Sequence, residues 1–236
     1  MHFLKTHIHV LVEKPITENL DDGKLMIETA KNNNLVLMVG QSERFNPAIS
    51  AVSGFIKDPR FIEVHRLGPF TTRAIDVDVV LDLMIHDVDL ILKWVDSDII
   101  EIRAMGVPVL SDRIDIANAR IEFQSGCTAN ITASRISMKS TRKVRVFQPE
   151  SYVSIDCMNQ TIDCFKKRGG SVDSSQPMNL IEPVQFSIDK VEPLKAEITA
   201  FIESVKGLTP PPVPGEAGLK ALDVCQQITH LIRSKL

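Results

Sequence analysis

The first candidate for chemistry is a lysine at the end of a strand-like run. Lys14 lies between Glu13 and Pro15, directly after the apolar, β-rich run HIHVLVE. In open α/β sheets, ligands bind just outside the carboxyl ends of the strands. A lysine in that position can donate hydrogen bonds to a substrate hydroxyl or to a cofactor ribose. A surface lysine at a strand end is the alternative interpretation of an isolated Glu-Lys-Pro.

The second candidate is a polar stripe on an otherwise apolar helix, VVLDLMIHDVDLILKWV. Asp82 and His86 are four residues apart and Asp89 is three further on, so a regular helix places them on one face. Asp78 and Lys93 extend that stripe. A carboxylate raises the basicity of a neighbouring imidazole and orients it, which suits general acid/base work. A polar face that meets solvent is the alternative, and the lack of further histidines argues against a metal site.

Basic residues gather in two later segments. Arg66 and Arg73 flank LGPFTT, and a larger group surrounds the turn after CTANITASRI. The members of that group are Arg135, Lys139, Arg142, Lys143 and Arg145. Guanidinium groups near a cleft can bind a phosphate-bearing substrate. A solvated, charged hairpin is the alternative that the sequence favours.

The elements that position these residues follow from hydrophobic periodicity. Apolar runs at 7–13 and 35–40 flank a helix predicted over roughly 18–31, with Thr17 as its N-cap. A strand, a helix and a strand with short joints form a parallel βαβ crossover. From Ile99 onward the runs alternate instead, as in IIEIRAMGV, IANARIEFQ and KVRVFQ. Such strands after a βαβ unit predict an α+β domain on a largely antiparallel sheet. The other predicted elements are a helix over 48–56, a strand over 61–67, a helix over 79–95, a loop over 169–183 and helices over 195–206 and 218–235.

Composition excludes several classes of protein. The 236 residues are 44% hydrophobic and carry a net charge of −3, which gives no reason to expect a nucleic-acid partner, since that role needs a concentrated basic face. Four cysteines occur without a CxxC pair, which is typical of a reducing compartment and predicts a cytoplasmic protein. No run approaches the length of a membrane span. The sequence has no GxGxxG, Walker, GxSxG or HExxH motif.

Taken in order, these motifs resemble the glucose–fructose/inositol dehydrogenase-type (Gfo/Idh/MocA) oxidoreductases. VLVEKPIT is similar to the family's strand with Glu-Lys-Pro, VGQSERFNPA to its Arg-Phe-Asn-Pro segment, and VVLDLMIHDVDLI to its Asp-x-x-x-His helix. PPPVPGEAGLKALDVCQQI resembles the closing helix. The resemblance covers essentially the whole chain and implies hydride transfer between a sugar carbon and NAD or NADP.

The resemblance also implies roles at the matching positions. The expected catalytic residues are Lys14, Asp82 and His86. The expected cofactor-binding residues are Glu13, Lys14, Pro15 and Arg44. The expected substrate-binding residues are Lys14, Asn46, Arg66, Arg73, Asp82 and His86. No metal is expected.

Two departures from the family pattern bear on function. Val79-Val80-Leu81 replaces the glycine pair that often precedes the family's aspartate. The Rossmann half with its Gly-rich turn is also missing, so residues 1–45 are expected to be the second half of that domain. Residues 46–236 are expected to form the substrate and dimerisation domain, with its large mixed or antiparallel, open-faced sheet and flanking helices. We therefore expect weak or no NAD(P) binding and no activity from this chain alone.

Within the family, HRLGPFTTR and SRISMKSTRKVRVFQPESYVSID resemble the branch that oxidises a UDP-N-acetylglucosamine ring hydroxyl. A plain sugar or cyclitol is the competing substrate. The resemblance also implies a homo-oligomer, a dimer or tetramer, formed through the open sheet. A dimerisation scaffold without catalysis is the alternative function.

Overall fold

The chain folds around two β-sheets that share helices. A computed structural model describes residues 1–71, 76–169 and 177–236. The helices are α1 (His2–Lys5), α2 (Leu20–Asn32), α3 (Pro47–Val52), α4 (Ile85–Trp94), α5 (Pro193–Val205) and α6 (Gly215–Arg233). The strands are β1 (Val10–Glu13), β2 (Leu37–Gly40), β3 (Phe61–Leu67), β4 (Ile99–Val107), β5 (Ile116–Phe123), β6 (Thr128–Ser134), β7 (Thr141–Gln148), β8 (Ser151–Asp156), β9 (Thr161–Lys167) and β10 (Ile181–Pro183). The expected fold class, a partial Rossmann unit followed by a large mixed sheet with flanking helices, is confirmed.

The smaller sheet is the predicted βαβ unit. Strands β1 and β2 pair in parallel, with Val10 opposite Leu37 and Glu13 opposite Gly40, and α2 makes the crossover. The N-cap of α2 is Asn19, whose side chain accepts a hydrogen bond from the Asp22 N–H. The prediction of Thr17 as N-cap was therefore wrong, because the turn that contains it continues for two more residues before the helix begins.

The larger sheet has eight strands in the order β10-β9-β8-β7-β3-β6-β5-β4. All neighbours are antiparallel except β3 and β6, which run parallel. Strand β3 lies between β6 and β7 in the sheet, although it precedes both in the chain. We call the helix-covered face the inner face and the opposite one the outer face.

Alternation along each strand separates the two faces. On β3, Ile62, Val64 and Arg66 are buried toward the inner face, whereas Glu63 and His65 are only partly buried. Short apolar residues of β5 and β6 continue the inner face, and this permits close approach of the helices. The alternating pattern predicted from Ile99 onward is therefore the pattern of a sheet with one packed face.

Helix α6 connects the two sheets. The N–H of Val39 in β2 donates to the carbonyl of Val213 just before the helix, at 3.0 Å. A Cβ at Gly218 would lie only 2.6 Å from a Val39 methyl group. Farther along, Ile228 and Ile232 are buried in the core of the larger sheet. The helix starts three residues earlier than the predicted 218 and ends at Arg233.

Two further predicted elements differ from the structure. Helix α3 ends at Val52 rather than 56, because Ser53-Gly54-Phe55 turn away from the helix. The loop predicted over 169–183 was wrong at its end, where Ile181–Pro183 forms β10 and pairs with β9. At three residues that strand is too short to show an alternating pattern, and it is held at the sheet edge by β9.

The helix predicted over 79–95 begins in an unexpected form. Val80–Met84 is π-helical, and the α-helix starts only at Ile85. Two carbonyls of this π turn accept hydrogen bonds from a side chain outside the helix. The Lys14 ammonium donates to the Asp82 carbonyl at 2.5 Å and to the Leu81 carbonyl at 3.5 Å. Such π turns are frequent at functional sites.

Candidate functional site

A cleft of about 450 Å³ opens where the carboxyl end of β1 meets the start of α4. Its lining includes Lys14, Asp82 and His86, the three residues that the resemblance implies as catalytic. The other lining residues are Ser42, Glu43, Arg66, Thr71, Leu83 and Arg142. The size suits a small polar ligand, and ionisable side chains line much of it.

The Lys14 ammonium is bound to the π turn. Besides its two backbone carbonyls, it lies 3.5 Å from a carboxylate oxygen of Asp82. Burial lowers the pKa of Lys14, and the neighbouring Asp82 charge opposes that change. Because β1 ends at this point, the ammonium reaches the cleft at the position where α/β sheets bind ligands.

His86 is a neutral imidazole in a positively charged setting. Burial lowers the pKa of His86 well below its usual value, and the charges of Arg66, Lys14 and Arg142 lower it further. Its Nδ1 is buried and has no hydrogen-bond partner in the described part of the chain. A neutral ring can accept a proton at a nitrogen, whereas an imidazolium cannot.

The floor of the cleft is a buried ionic network centred on Arg66. Its Nε and one terminal nitrogen bind the Asp87 carboxylate at 2.7 to 3.0 Å, and it also binds Glu43 at 2.8 Å. Burial disfavours the charged guanidinium, but the two carboxylates outweigh it and raise the pKa of Arg66. Burial raises the pKa of Asp87, an effect that Arg66 opposes. The network fixes α4 to β3 and to the segment after β2.

Asn46 and Arg44 occupy supporting positions near the cleft. Asn46 caps α3 through the Ala48 N–H at 3.1 Å, and its amide donates to Glu43 and to the Cys157 carbonyl, each at 2.9 Å. The Arg44 guanidinium binds Asp89 at 2.5 and 2.7 Å. Asn46 lines a second pocket beside the cleft, together with Arg142 and Cys157, whereas Arg44 binds Asp89 and does not line the cleft.

The predicted polar stripe divides into separate clusters. Asp82 and His86 face the cleft, while Asp89 lies with Arg44 beside Lys93. The prediction that Asp78 extends the stripe was wrong. Asp78 precedes the helix and binds the Ile114 N–H at 3.0 Å and Arg233 at 2.6 Å. The π turn at Val80–Met84 changes which residues share a face of the helix, so the spacing of a regular α-helix does not predict the position of Asp78.

The basic group also divides. Arg135 is buried and binds Asp115 at 2.8 Å, and Arg145 pairs with Glu63. Arg142 alone of that group lines the cleft. Arg73 lies outside the described residues.

Two carboxylates of the site were not predicted from the sequence: Glu43 and Asp87, which both pair with Arg66. Arg142, one of the basic residues that the sequence suggests for binding a phosphate-bearing substrate, lines the cleft. The sequence does carry a signal for Arg66. It is spaced by two from Val64 and by four from Ile62, so it lies on the same, packed face of β3. The sequence signal for Glu43 and Asp87 is weaker, because each becomes part of the site only by packing against Arg66 of β3.

Comparison with known proteins gives the family. Residues 1–41 match the family model described as "Oxidoreductase family, NAD-binding Rossmann fold", and residues 48–151 match the GFO/IDH/MocA C-terminal domain. UDP-N-acetylglucosamine 3-dehydrogenase of Acidithiobacillus ferrooxidans is 33% identical over 99% of this chain and 74% of its own length. The chain belongs to the Gfo/Idh/MocA oxidoreductase family.

Other Gfo/Idh/MocA proteins support that placement. Myo-inositol 2-dehydrogenase of Thermotoga maritima is 26% identical, over 92% of this chain and 68% of its own length. A solved structure of the Acidithiobacillus ferrooxidans UDP-N-acetylglucosamine 3-dehydrogenase superposes with a TM-score of 0.89 at 32% identity, covering 98% of this chain and 73% of that one. These relatives are dehydrogenases that the names assign to a nucleotide sugar and to a cyclitol.

Neither a membrane-spanning helix nor a metal cluster occurs in the described ranges. No helix in residues 1–71, 76–169 or 177–236 is long and apolar enough to cross a membrane. In those same ranges, no group of three or more His, Cys, Asp or Glu side chains is arranged as a metal site. The four cysteines are buried thiols, and burial raises the pKa of Cys127 to about 11.

Proposed function

We propose that this chain supplies the substrate-binding and proton-transfer residues of an NAD(P)-dependent dehydrogenase, and that its substrate is a nucleotide sugar oxidised at a ring hydroxyl. The observation that carries the proposal is the meeting of Lys14, Asp82 and His86 in one cleft at the carboxyl end of β1. The similarity to UDP-N-acetylglucosamine 3-dehydrogenase supports this substrate class over a plain sugar or cyclitol.

Oxidation of a hydroxyl releases a proton and a hydride, and the chain handles the proton. Neutral His86 is the proposed base, because its lowered pKa leaves a ring nitrogen free to accept. Lys14 is the second candidate for the proton, since burial lowers its pKa. Asp82 holds the Lys14 ammonium beside the π turn. Arg66, Asp87 and Glu43 keep the floor of the cleft rigid, so that the hydroxyl meets His86 in a fixed geometry.

The residues present fit only one end of a nicotinamide cofactor. Lys14, at the carboxyl end of β1, would bind a ribose hydroxyl, and Glu13 and Pro15 flank it. The bound cofactor would accept the hydride. The 236 residues contain no GxGxxG turn for a pyrophosphate, and the β1–α2 connection, Lys14 to Asn19, contains no glycine. We therefore propose that this chain alone binds NAD(H) weakly and is inactive.

Nuclear magnetic resonance of the histidine rings tests the substrate site. On titration with UDP-N-acetylglucosamine, we expect the His86 ring signals to shift and those of His65 to remain, because His65 lies on the outer face of β3. The same protein thus contains its own control. Unchanged His86 signals at saturating ligand, or equal shifts for both rings, would contradict the proposed site.

Titration calorimetry tests the cofactor proposal. We expect NADH to bind this chain far more weakly than the micromolar range, since the pyrophosphate contacts that a Gly-rich turn supplies are not available from these residues. Micromolar binding would overturn that part of the proposal without touching the substrate site.

A second candidate function is a dimerisation scaffold. The outer face of the eight-stranded sheet favours it, because Met105 and Val107 of β4 are exposed there beside charged side chains. This function is compatible with the first, since the outer face and the cleft lie on opposite sides of the sheet. A monomeric protein in solution would remove it.

A further inference from the structure

Two arginines oppose each other on the inner face of the sheet. Arg66 of β3 and Arg142 of β7 are direct cross-strand partners. Arg142 is spaced by two and four residues from the buried Val144 and Val146, so it lies on the same face of β7 as they do. Cys157, just after the end of β8, lies on the other side of Arg142, and its N–H donates to the Arg142 carbonyl at 2.8 Å. Like charges directly opposite each other destabilise a sheet unless something neutralises them.

The two arginines are neutralised unequally. Arg66 is 4% exposed and binds both Asp87 and Glu43. Arg142 is exposed, and within the described residues its guanidinium makes no ion pair or hydrogen bond. The charge of Arg142 nevertheless acts on the cleft. It lowers the pKa of His86, although less than burial, Arg66 and Lys14 do. Arg142 is thus a cation on the packed side of a sheet without a direct anionic contact in the described part of the chain.

Arg142 also stands at the junction of two spaces. It lines the cleft together with His86, and it lines an adjoining pocket of about 350 Å³. Asn46, Cys157, Met158 and Gln160 belong to that second pocket. Ser42 and Glu43 also line both spaces, so Arg142 is the one positively charged residue among the three that a ligand reaching from His86 into the adjoining pocket would meet.

Neighbouring cations cannot take the same role. Arg135 is held by Asp115 and by the Val77 carbonyl at 2.8 Å. Lys143 opposes His65 in register, so it lies on the outer face of the sheet.

We infer that Arg142 binds a phosphate group of the substrate at this junction. The inference rests on the proposed function: the sugar ring lies toward His86, and the rest of a nucleoside diphosphate occupies the adjoining pocket. The planar guanidinium can donate two parallel hydrogen bonds to phosphate oxygens, a geometry that lysine cannot reproduce. The phosphate then supplies the negative charge that the Arg66–Arg142 pair lacks on the Arg142 side.

The test is calorimetric titration with UDP. We expect Arg142→Ala to weaken UDP binding roughly 10- to 100-fold, as for loss of a charge-assisted hydrogen-bonded contact. Arg142→Lys should recover part of the loss, because it restores the charge without the paired donors. Lys143→Ala is the matched control: it removes the same charge one residue away on the outer face, and it should leave binding unchanged. Thermal unfolding of each variant verifies that the fold is retained.

The outcomes separate the two proposals. Equal UDP affinity for the wild type and Arg142→Ala, equal losses in the two alanine variants, or no UDP binding by the wild type would overturn the phosphate role of Arg142. If UDP binding depends on Arg142 but UDP-N-acetylglucosamine leaves the His86 signals unchanged, the phosphate site stands and the proposed dehydrogenase function fails.

Discussion

At the scale of single residues, the cleft is defined by positive charges around one neutral ring. Lys14, Arg66 and Arg142 all act on His86, whose own burial has the largest effect on its pKa. A developing alkoxide on a substrate hydroxyl would meet favourable charge from all three cations. The same charges make His86 a weaker base, so in the proposed reaction they would favour the developing alkoxide and oppose protonation of the ring.

Removing one cation should therefore be visible at the histidine. We expect Lys14→Met to raise the pKa of His86, because it deletes a positive charge that disfavours the imidazolium. Lys93→Met is the control. Lys93 lies on α4, as His86 does, but its charged neighbours are Arg44 and Asp89. The measurement is a pH titration of the His86 ring signals. An unchanged titration in Lys14→Met, or an equal change in the control, would show that Lys14 is not electrostatically coupled to His86.

The residues that could be predicted are those whose types stand out against an apolar background. Lys14 at a strand end and the pair Asp82 and His86 on an apolar helix are recognisable from the sequence alone, and the fold brings them to one cleft. Their chemical roles remain predictions. Glu43 and Asp87 could not be predicted, because a carboxylate becomes part of this site only when Arg66 from another strand lies against it.

At the scale of elements, local patterns determine most strands, and tertiary contacts decide the exceptions. Strand β3 lies at the predicted 61–67, since alternation and flanking turn residues define it locally. The π turn at Val80–Met84 could not be predicted, because the donor to its carbonyls is Lys14, more than sixty residues earlier. The same holds for β10, which exists only through β9.

The contact between α6 and β2 sets a limit on side-chain size. A Cβ at Gly218 would lie 2.6 to 3.1 Å from three side-chain carbons of Val39, and a β-branched side chain cannot swing away. We expect Gly218→Ala to lower the free energy of unfolding by about 1–3 kcal/mol through overpacking, despite the better helix propensity of alanine.

The matched control for that substitution is Gly54→Ala. No heavy atom lies within 4 Å of a Cβ at Gly54, so the change should stay within about 0.5 kcal/mol. Urea denaturation measures both variants. Equal stabilities for the two variants would mean that α6 and β2 can separate without cost.

Helix α5 carries a carboxyl group that should make stability depend on pH. Burial, and then the charge of Glu13, raise the pKa of Glu197 to about 7 from an ordinary value of 4.5. Its Oε2 has no partner in the described part of the chain. Because the native state holds this proton longer than the unfolded state does, Glu197 lowers stability as pH rises from about 4.5 to 7, and the loss is complete above 7.

Glu197→Gln removes that titration. We expect its stability advantage over the wild type to grow between pH 5 and pH 8, by up to about 3 kcal/mol. Glu203→Gln, an exposed change on the same helix, should follow the wild type at both values. Urea denaturation at the two pH values is the measurement, and an advantage that is constant with pH would contradict the raised pKa.

At the scale of the whole molecule, the eight-stranded sheet separates the cleft from an outer face that no helix in the described part of the chain covers. Helices and the cleft occupy the inner face. The outer face presents charged pairs such as Arg103 with Glu101 and Arg120 with Glu122, together with exposed apolar side chains of β4. Surface ion pairs add little stability to a monomer, but they can fix the register of a self-complementary interface.

We expect the protein to be a dimer that forms through this outer face. Met105 is 62% exposed on β4, between Ala104, which is buried, and Gly106, where a Cβ would meet Ile114 on the inner side. Met105→Glu would bury an unpaired charge in the interface, which is strongly unfavourable, and should shift the protein to monomer in sedimentation velocity experiments. Met138→Glu is the control, because Met138 is 96% exposed in the turn between β6 and β7 and lies away from the strand surface. A dimer that persists in Met105→Glu would place the interface elsewhere, and it would leave the cleft and its chemistry unaffected.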